Sequence, residues 1–409
     1  MFRLFRKVPN TIKAIGIASF LLNTSTLMVY SVFGVYLHKN LGIKLENIGF
    51  LDGAVEGFSF MIKILSGLLS DILMNRKAFI VIGAFFLFIA KPLEAIASSY
   101  WSLFSAKMLE RFGNGIQATP RDAIVGDIAP ANLKGSCFGI RHAMAAFGSV
   151  VGAIIASKIL FGDSNSDFQF VFWMAAIPSS IAVIVILFFV KDKSRETVFK
   201  KERGNRMRIS WRDVKNFDSR YWTTMLIASL YMISRVTESI VILHIIKKLN
   251  LPSNYAPICM MYYQIANSVI ALSAGIISDK LRNRDNIIMS GIVVFFISDV
   301  LFILGSNVCV MMIAMVFLGG YVGIQQSIFQ AKIVDVIPHE LKGTGLGIFY
   351  LICATSLLIG GKLAGYISDI YSTTAAFKVS LGFAVVSLVV MLIIKFFERE
   401  KLRKSTARS

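Results

Sequence analysis

The 409-residue chain has little of what a soluble catalyst or a secreted domain relies on. Only 16% of its residues are charged, and Asp and Glu number 24 against 43 Lys and Arg. A soluble domain carries about a quarter charged residues, so most of this chain has no aqueous surface to present. The four cysteines, Cys137, Cys259, Cys309 and Cys353, stand inside or at the edges of apolar runs, with no CxxC spacing and no histidine partner. That argues against a disulfide framework or a metal site and leaves small packing residues. His38, His142, His244 and His339 show no ligand spacing, and no cofactor is expected. There is no GxxxxGK[ST] loop, so ATP-driven work by this chain is not expected. No small-residue cleavage site follows the first apolar run. Arg3, Arg6 and Lys7 therefore read as the flank of a retained helix rather than of a signal peptide.

What the chain has is apolar length. It is 56% hydrophobic, with a mean hydropathy of +0.68. Twelve runs, each about twenty residues or more, are long enough to cross a hydrocarbon core. Six lie at 13–37, 48–70, 78–97, 101–123, 135–160 and 170–190, and six at 221–246, 257–278, 287–304, 308–333, 343–368 and 375–397. They are too long for barrel strands and do not alternate. The net charge of +19 points to topology rather than nucleic acid, because Lys and Arg cluster in alternate loops. Arg76, Lys77, Lys134, the run 191–220, Lys280, Arg282, Arg284, Lys342 and the tail 395–408 fall on one side. Both termini are then cytoplasmic, in a multi-pass protein of the cell inner membrane. The expected organisation is a six-helix bundle over 1–190, a basic linker over 191–218, a second bundle over 219–397 and a tail over 398–409. The linker reads equally as a surface-bound amphipathic helix or a flexible connection.

The two halves repeat. RFGNGIQATPRDAIVGDIAPANLKGSCFG at 111–139 recurs weakly as GGYVGIQQSIFQAKIVDVIPHELKGTGLG at 319–347. Gly115 matches Gly323, Gln117 matches Gln325, Asp127 matches Asp335 and Gly135 matches Gly343, each pair 208 positions apart. GLLSD at 67–71 and GIISD at 275–279 keep the same offset. A constant offset of half the chain marks a duplicated unit and a pseudo-twofold axis.

Six plus six helices, a long basic middle loop and a repeated Gly-x-x-Ser-Asp at the inner ends of segments two and eight resemble the major facilitator superfamily of secondary transporters. The resemblance covers nearly the whole chain. Gly67, Leu69, Asp71, Arg76 and Lys77 stand where the family's G-x-L-a-D-r-x-G-r-[KR] signature has its key residues, with Ile72 and Asn75 departing from it. Gly275, Ser278, Asp279, Lys280, Arg282 and Arg284 form the second copy. Arg111, Asn114 and Gly115 are similar to the family's R-x-x-Q-G, and GNGIQATPRDAIVGDIAP is similar to a poorly characterised prokaryotic branch. Segment five has no Gly-Pro pair of the drug-antiporter kind. The resemblance implies an all-α membrane fold, with segments one, four, seven and ten lining a central cavity. It also implies that Gly67, Asp71, Arg76, Lys77, Gly275, Asp279, Arg282 and Arg284 gate the cytoplasmic end.

Charges inside the apolar runs sharpen the expectation, because each costs about 2.5–3.5 kcal/mol on insertion scales and must face protein or water. Arg111 and Arg235, one from each half, are expected to anchor an anionic group through their planar forks. Lys107, Asn23, Tyr263 and Gln325 are expected to add polar contacts. Glu56, Glu110, Glu238 and Asp52 are candidate proton carriers, since desolvation favours a neutral carboxyl. The competing reading makes Lys107–Glu110 and Arg235–Glu238 structural ion pairs. Lys91, Glu94 and Asp299 lie on segments expected to be peripheral, where snorkelling pairs are expected; Lys362 has no assigned role.

The function expected is secondary transport of a small organic solute by alternating access, proton-coupled and leaning to an anionic or zwitterionic metabolite. The partners are that substrate, protons and the lipid bilayer, with no nucleic acid, and a monomer is expected. Drug or amphiphile efflux is the alternative. A membrane enzyme has only His142 beside Arg141 and near Asp127 to support it, and a sensor lacks a signalling extension.

Overall fold

The computed structural model describes residues 8–73, 75–130, 133–191, 217–280, 285–337 and 342–406. Most of the expected linker, Arg282 and Arg284 lie outside these, as do the side-chain surroundings of Asp71, Gly275 and Asp279. The described residues form helices and no strands. They are α1 (Asn10–Val35, extended by a π turn, Tyr36–Asn40), α2 (Leu45–Leu73), α3 (Arg76–Ile96), α4 (Tyr100–Ile128), α5 (Lys134–Ile159) and α6 (Asn165–Phe189). The second half has α7a (Ser219–Ile233), α7b (Glu238–Leu249), α8 (Tyr255–Lys280), α9 (Asp285–Leu304), α10 (Val308–Val336), α11 (Lys342–Ile370) and α12 (Thr373–Thr406). Among the described residues, nine spans meet the length and hydropathy needed to cross a membrane, with α7a and α7b counted together.

Local chemistry sets several ends. Ser99 and Ser102 form a reciprocal cap at the start of α4, and Ser164 with Asp167 does the same for α6. α4 stops at Ile128, two residues before Pro130, because proline brings no N–H and restricts the residue before it. α12 continues to Thr406, so the first part of the expected tail is helix. Segment seven, expected to be continuous, is broken at residues 234–237.

The chain forms two compact units. Counting described residues, one comprises residues up to 44, 54–191 and Asn250–Gln264; the other comprises Leu45–Gly53, 217–249 and the residues from 265 onward. Both α2 and α8 therefore begin in one unit and continue in the other.

The repeat is visible as matching close approaches. In the first unit a Cβ on Gly115 would lie 2.6 Å from Ile62 and 3.3 Å from the Ser59 carbonyl. In the second unit a Cβ on Gly323 would lie 2.7 Å from the Asn267 carbonyl. Ser59 and Asn267, like Gly115 and Gly323, are 208 positions apart, so the duplicated glycines do the same packing work in α4 on α2 and in α10 on α8.

In the second unit the first turns of α2 pack on α11 backbone to backbone. A Cβ on Gly53 would sit 2.6 Å from the Leu357 carbonyl, and one on Gly361 would collide with the Gly49 carbonyl. Asp369 accepts from the amides of Leu45 and Glu46 at 3.0 and 2.8 Å, capping α2. Lys362 lies 3.6 Å from Glu46, which assigns that residue a partner. Gly361→Val should cost about 1–3 kcal/mol through overpacking and lower the melting midpoint of purified protein. Gly382→Ala, with open space around it, should leave the midpoint in place.

Candidate functional site

α3 and α4 pack through Gly83 and Gly113; a Cβ on either would lie 2.5 Å from the other's carbonyl oxygen. That approach sets Lys91 and Glu94 of α3 against Lys107 and Glu110 of α4. Lys107 Nζ is 2.6 Å from Glu110 and 3.4 Å from Glu94; Lys91 Nζ is 2.9 Å from Glu110 and 3.1 Å from Glu94. All four side chains are 0–1% exposed. Lys107 also lies 4.7 Å over the Phe33 ring. The expectation of snorkelling for Lys91 and Glu94 is corrected: they are fully inside the protein. Lys107 and Glu110, expected to meet substrate and protons, have one another and the α3 pair as neighbours instead of open water.

From Arg111 onward along α4 the surroundings open. Arg111 Nη1 is 3.9 Å from Glu56 of α2, and its guanidinium lies 5.6 Å over the Tyr30 ring of α1. Lys63 feels the charges of Glu56, Arg111, Arg121 and Asp122. Arg121 lies 3.8 Å from Asp122, and Arg141 of α5 lies 3.2 Å from the same carboxylate. Glu56 and Asp122 are 39% and 42% exposed while Arg111 and Arg121 are 12% and 13%. The group thus has four cations on three helices and two carboxylates. The pairs at 3.8 and 3.9 Å lie beyond hydrogen-bond reach, and buried Arg121 Nε has no hydrogen-bond acceptor among the described residues. Pro120 lies within α4, so Arg121 and Asp122 are helical, and Arg141 reaches Asp122 from α5.

Of the other expected contacts in this unit, Asn23 donates to the Ser19 carbonyl at 2.8 Å, within its own helix, and Tyr263 is buried. Gly67 meets Thr119, where a Cβ would come within 2.9 Å. Arg76 pairs with Asp127, and Lys77 donates to the Leu187 carbonyl at 2.8 Å. His142 contacts Arg141 rather than Asp127. Outside the spans, Asp163 accepts from Lys39 at 3.1 Å. Partial burial works against its charge, but hydrogen bonds from Ser253 and Lys39 outweigh this and hold it below the usual carboxylate range.

In the second unit the break in segment seven holds Arg235, which pairs with Glu238 at the start of α7b. None of the four residues at 234–237, Ser-Arg-Val-Thr, is a helix breaker of the Gly or Pro kind. The break is held from outside: Tyr321 donates to the Tyr231 carbonyl at 2.8 Å and Ser380 to the Ser234 carbonyl at 2.6 Å. Gln325 donates to Met232 Sδ at 2.6 Å. Asp52, at the start of α2, is buried in this unit and not in that of Glu56.

The comparisons agree with this architecture. The chain is 26% identical over 399 residues to an uncharacterized MFS-type transporter of Methanocaldococcus jannaschii, covering 95% of this chain and 96% of that one. Among solved structures it resembles the nucleoside transporter NupG, with a TM-score of 0.75 and 16% identity over 94% of this chain and 99% of that one. It also resembles a D-xylose-proton symporter, with a TM-score of 0.69 and 12% identity over 93% and 96%. The family model of the Major Facilitator Superfamily matches residues 15–237 and 223–409. This chain therefore belongs to the Major Facilitator Superfamily and is a multi-pass membrane transporter, not an enzyme.

Proposed function

We propose that the transported solute is a small organic anion or zwitterion and that its movement is coupled to protons. The observation that supports this reading is the group on α2, α4 and α5. Lys63, Arg111, Arg121 and Arg141 gather around Glu56 and Asp122, four cations to two carboxylates, so the site gains from an added negative group. Arg111 is the anchor, because a guanidinium meets a carboxylate or phosphate with two parallel N–H donors. Glu56, in contact range of Arg111 and part-exposed, is the proton carrier of this unit: its protonation removes a competing carboxylate and raises the site's pull on the anion. Arg235 with Glu238 is a second, sequence-local Arg–Glu pair in the second unit.

The test is ligand-dependent melting of detergent-purified protein with carboxylates, phosphate esters, amino acids and lipophilic cations at two pH values. A bound solute at about a hundred times its dissociation constant adds about 2.7 kcal/mol. Stabilisation by one anion class, stronger at the lower pH, is the expected result. Stabilisation by lipophilic cations alone would reject the anion reading in favour of efflux of amphiphiles.

A further inference from the structure

The second unit holds a carboxyl group that neither anchors nor gates in the reading above. Asp299, on α9, is 1% exposed, and no Lys, Arg or His lies within ion-pair distance of it among the described residues. Its partner is Ser380 of α12, whose Oγ is 2.5 Å from Asp299 Oδ2. The same Oγ is 2.6 Å from the Ser234 carbonyl oxygen. Ser380 and Ser234 are also buried. A serine hydroxyl has one proton to donate. The Ser234 carbonyl can only accept, so that proton goes to Ser234. The Asp299–Ser380 contact then needs a proton of its own, and only the carboxyl can supply it. An ionised Asp299 would leave one of these two short O···O contacts with no hydrogen between two acceptors, and would place a bare anion in the apolar interior.

We propose that Asp299 is a proton-binding site, and that Ser380 relays its occupancy to the break between α7a and α7b. With the proton on, Asp299 O–H donates to Ser380 Oγ and Ser380 O–H donates to the Ser234 carbonyl. That carbonyl is the acceptor which, in an unbroken helix, would take the Glu238 amide four residues on. With the proton released to water, the carboxylate takes the Ser380 hydrogen and the Ser234 carbonyl loses its donor. A buried carbonyl without a donor is unfavourable, so the Glu238 amide is drawn back to it and α7a joins α7b. The rejoined helix moves Arg235 and Glu238, the charged pair at the break. Proton occupancy thus sets the geometry of the second unit's candidate site; this link to transport rests on the proton-coupled reading above, whereas the protonation of Asp299 does not.

The charged and titratable groups around Asp299 come from every element packed on α9. Tyr321 of α10 lies within electrostatic range of Asp299 and donates to Tyr231, while Lys332 of α10 pairs with Asp285 at the far end of α9. Lys378 of α12 is exposed. His244 and Lys248 of α7b bind the Phe302 carbonyl, and Arg235 is paired with Glu238. None of these makes an ion pair or a hydrogen bond with Asp299, so the relay through Ser380 is the route by which its protonation is read.

Infrared spectroscopy of the purified protein in lipid tests this without any solute. At neutral pH the wild type should show the carbonyl stretch of a protonated carboxylic acid that is lost in Asp299→Asn. Asn keeps the relay, because its amide donates to Ser380 as the acid does. Hydrogen exchange at residues 234–238 gives the second reading. The ratio of wild-type to Asp299→Asn exchange should stay near one at acid pH and fall several-fold once the wild type loses its proton. A band that persists in Asp299→Asn, or a ratio that stays constant at every pH, would overturn the proposal. Should Asp299→Asn not fold, wild-type protein labelled at the aspartate carboxyl carbon should show the band shifted by the label and shifted again in Ser380→Ala; an unmoved band overturns it equally. A missing band removes the proton from Asp299 and leaves the anion reading standing, since that is judged by solute-dependent melting.

Discussion

Lys107→Met is expected to destabilise the protein by about 3–5 kcal/mol, the usual cost of removing one partner from a buried ion pair. Each lysine of the α3–α4 group touches both glutamates, at 2.6 and 3.4 Å for Lys107 and at 2.9 and 3.1 Å for Lys91. The group is balanced in charge and closed to solvent. Without Lys107, Glu94 and Glu110 share a single cation in a dry site, and Phe33 loses the ammonium above its ring. The melting midpoint of the purified variant should drop steeply or the protein should fail to accumulate. Replacing all four residues with apolar ones of similar volume should recover most of the loss, because desolvation of the charges is then avoided. The fourfold variant also separates two roles. If Lys107 and Glu110 only join the helices, it folds and binds solute as the wild type does; if Glu110 carries the coupled proton, it folds but loses the response to a pH gradient.

How far this was legible from sequence differs by feature, and the difference has physical causes. The duplication and the glycines that serve it were readable, because the packing at Gly115 and Gly323 depends on a residue type that nothing else replaces. The pairs Lys91–Glu94 and Lys107–Glu110 were readable singly, since i,i+3 spacing is local. Their meeting was not, because it depends on the Gly83–Gly113 approach between two helices. The break in segment seven was hidden for a related reason. Ser234 to Thr237 contains no Gly or Pro, and the acceptors exposed there are satisfied by Tyr321 and Ser380, which lie 90 and 146 positions from the residues they serve. Asp299 read as peripheral for the same cause: its partner stands 81 positions away. Hydropathy finds spans; it does not report which polar side chains face each other across them.

Arg111→Gln is expected to weaken binding of the solute anion by roughly a hundredfold while leaving the fold intact, in line with the 2–5 kcal/mol lost when one side of a desolvated charged contact is truncated. The fold should tolerate the change because the Arg111 contact with part-exposed Glu56 is long, at 3.9 Å, and its stacking on Tyr30 is weak in energy terms. Lysine at the same position distinguishes charge from shape. If the anchor acts as a planar two-donor fork, Arg111→Lys should recover little of the affinity; if only the positive charge matters, it should recover most. Titration calorimetry with the anion class found by melting measures both variants. Glu56→Gln supplies the opposite sign: removing the competing carboxylate should tighten anion binding at neutral pH and flatten its dependence on pH. Equal affinity in Arg111→Gln and wild type would take the anchor away from α4 and leave the positive excess of Lys63, Arg121 and Arg141 to be explained by packing.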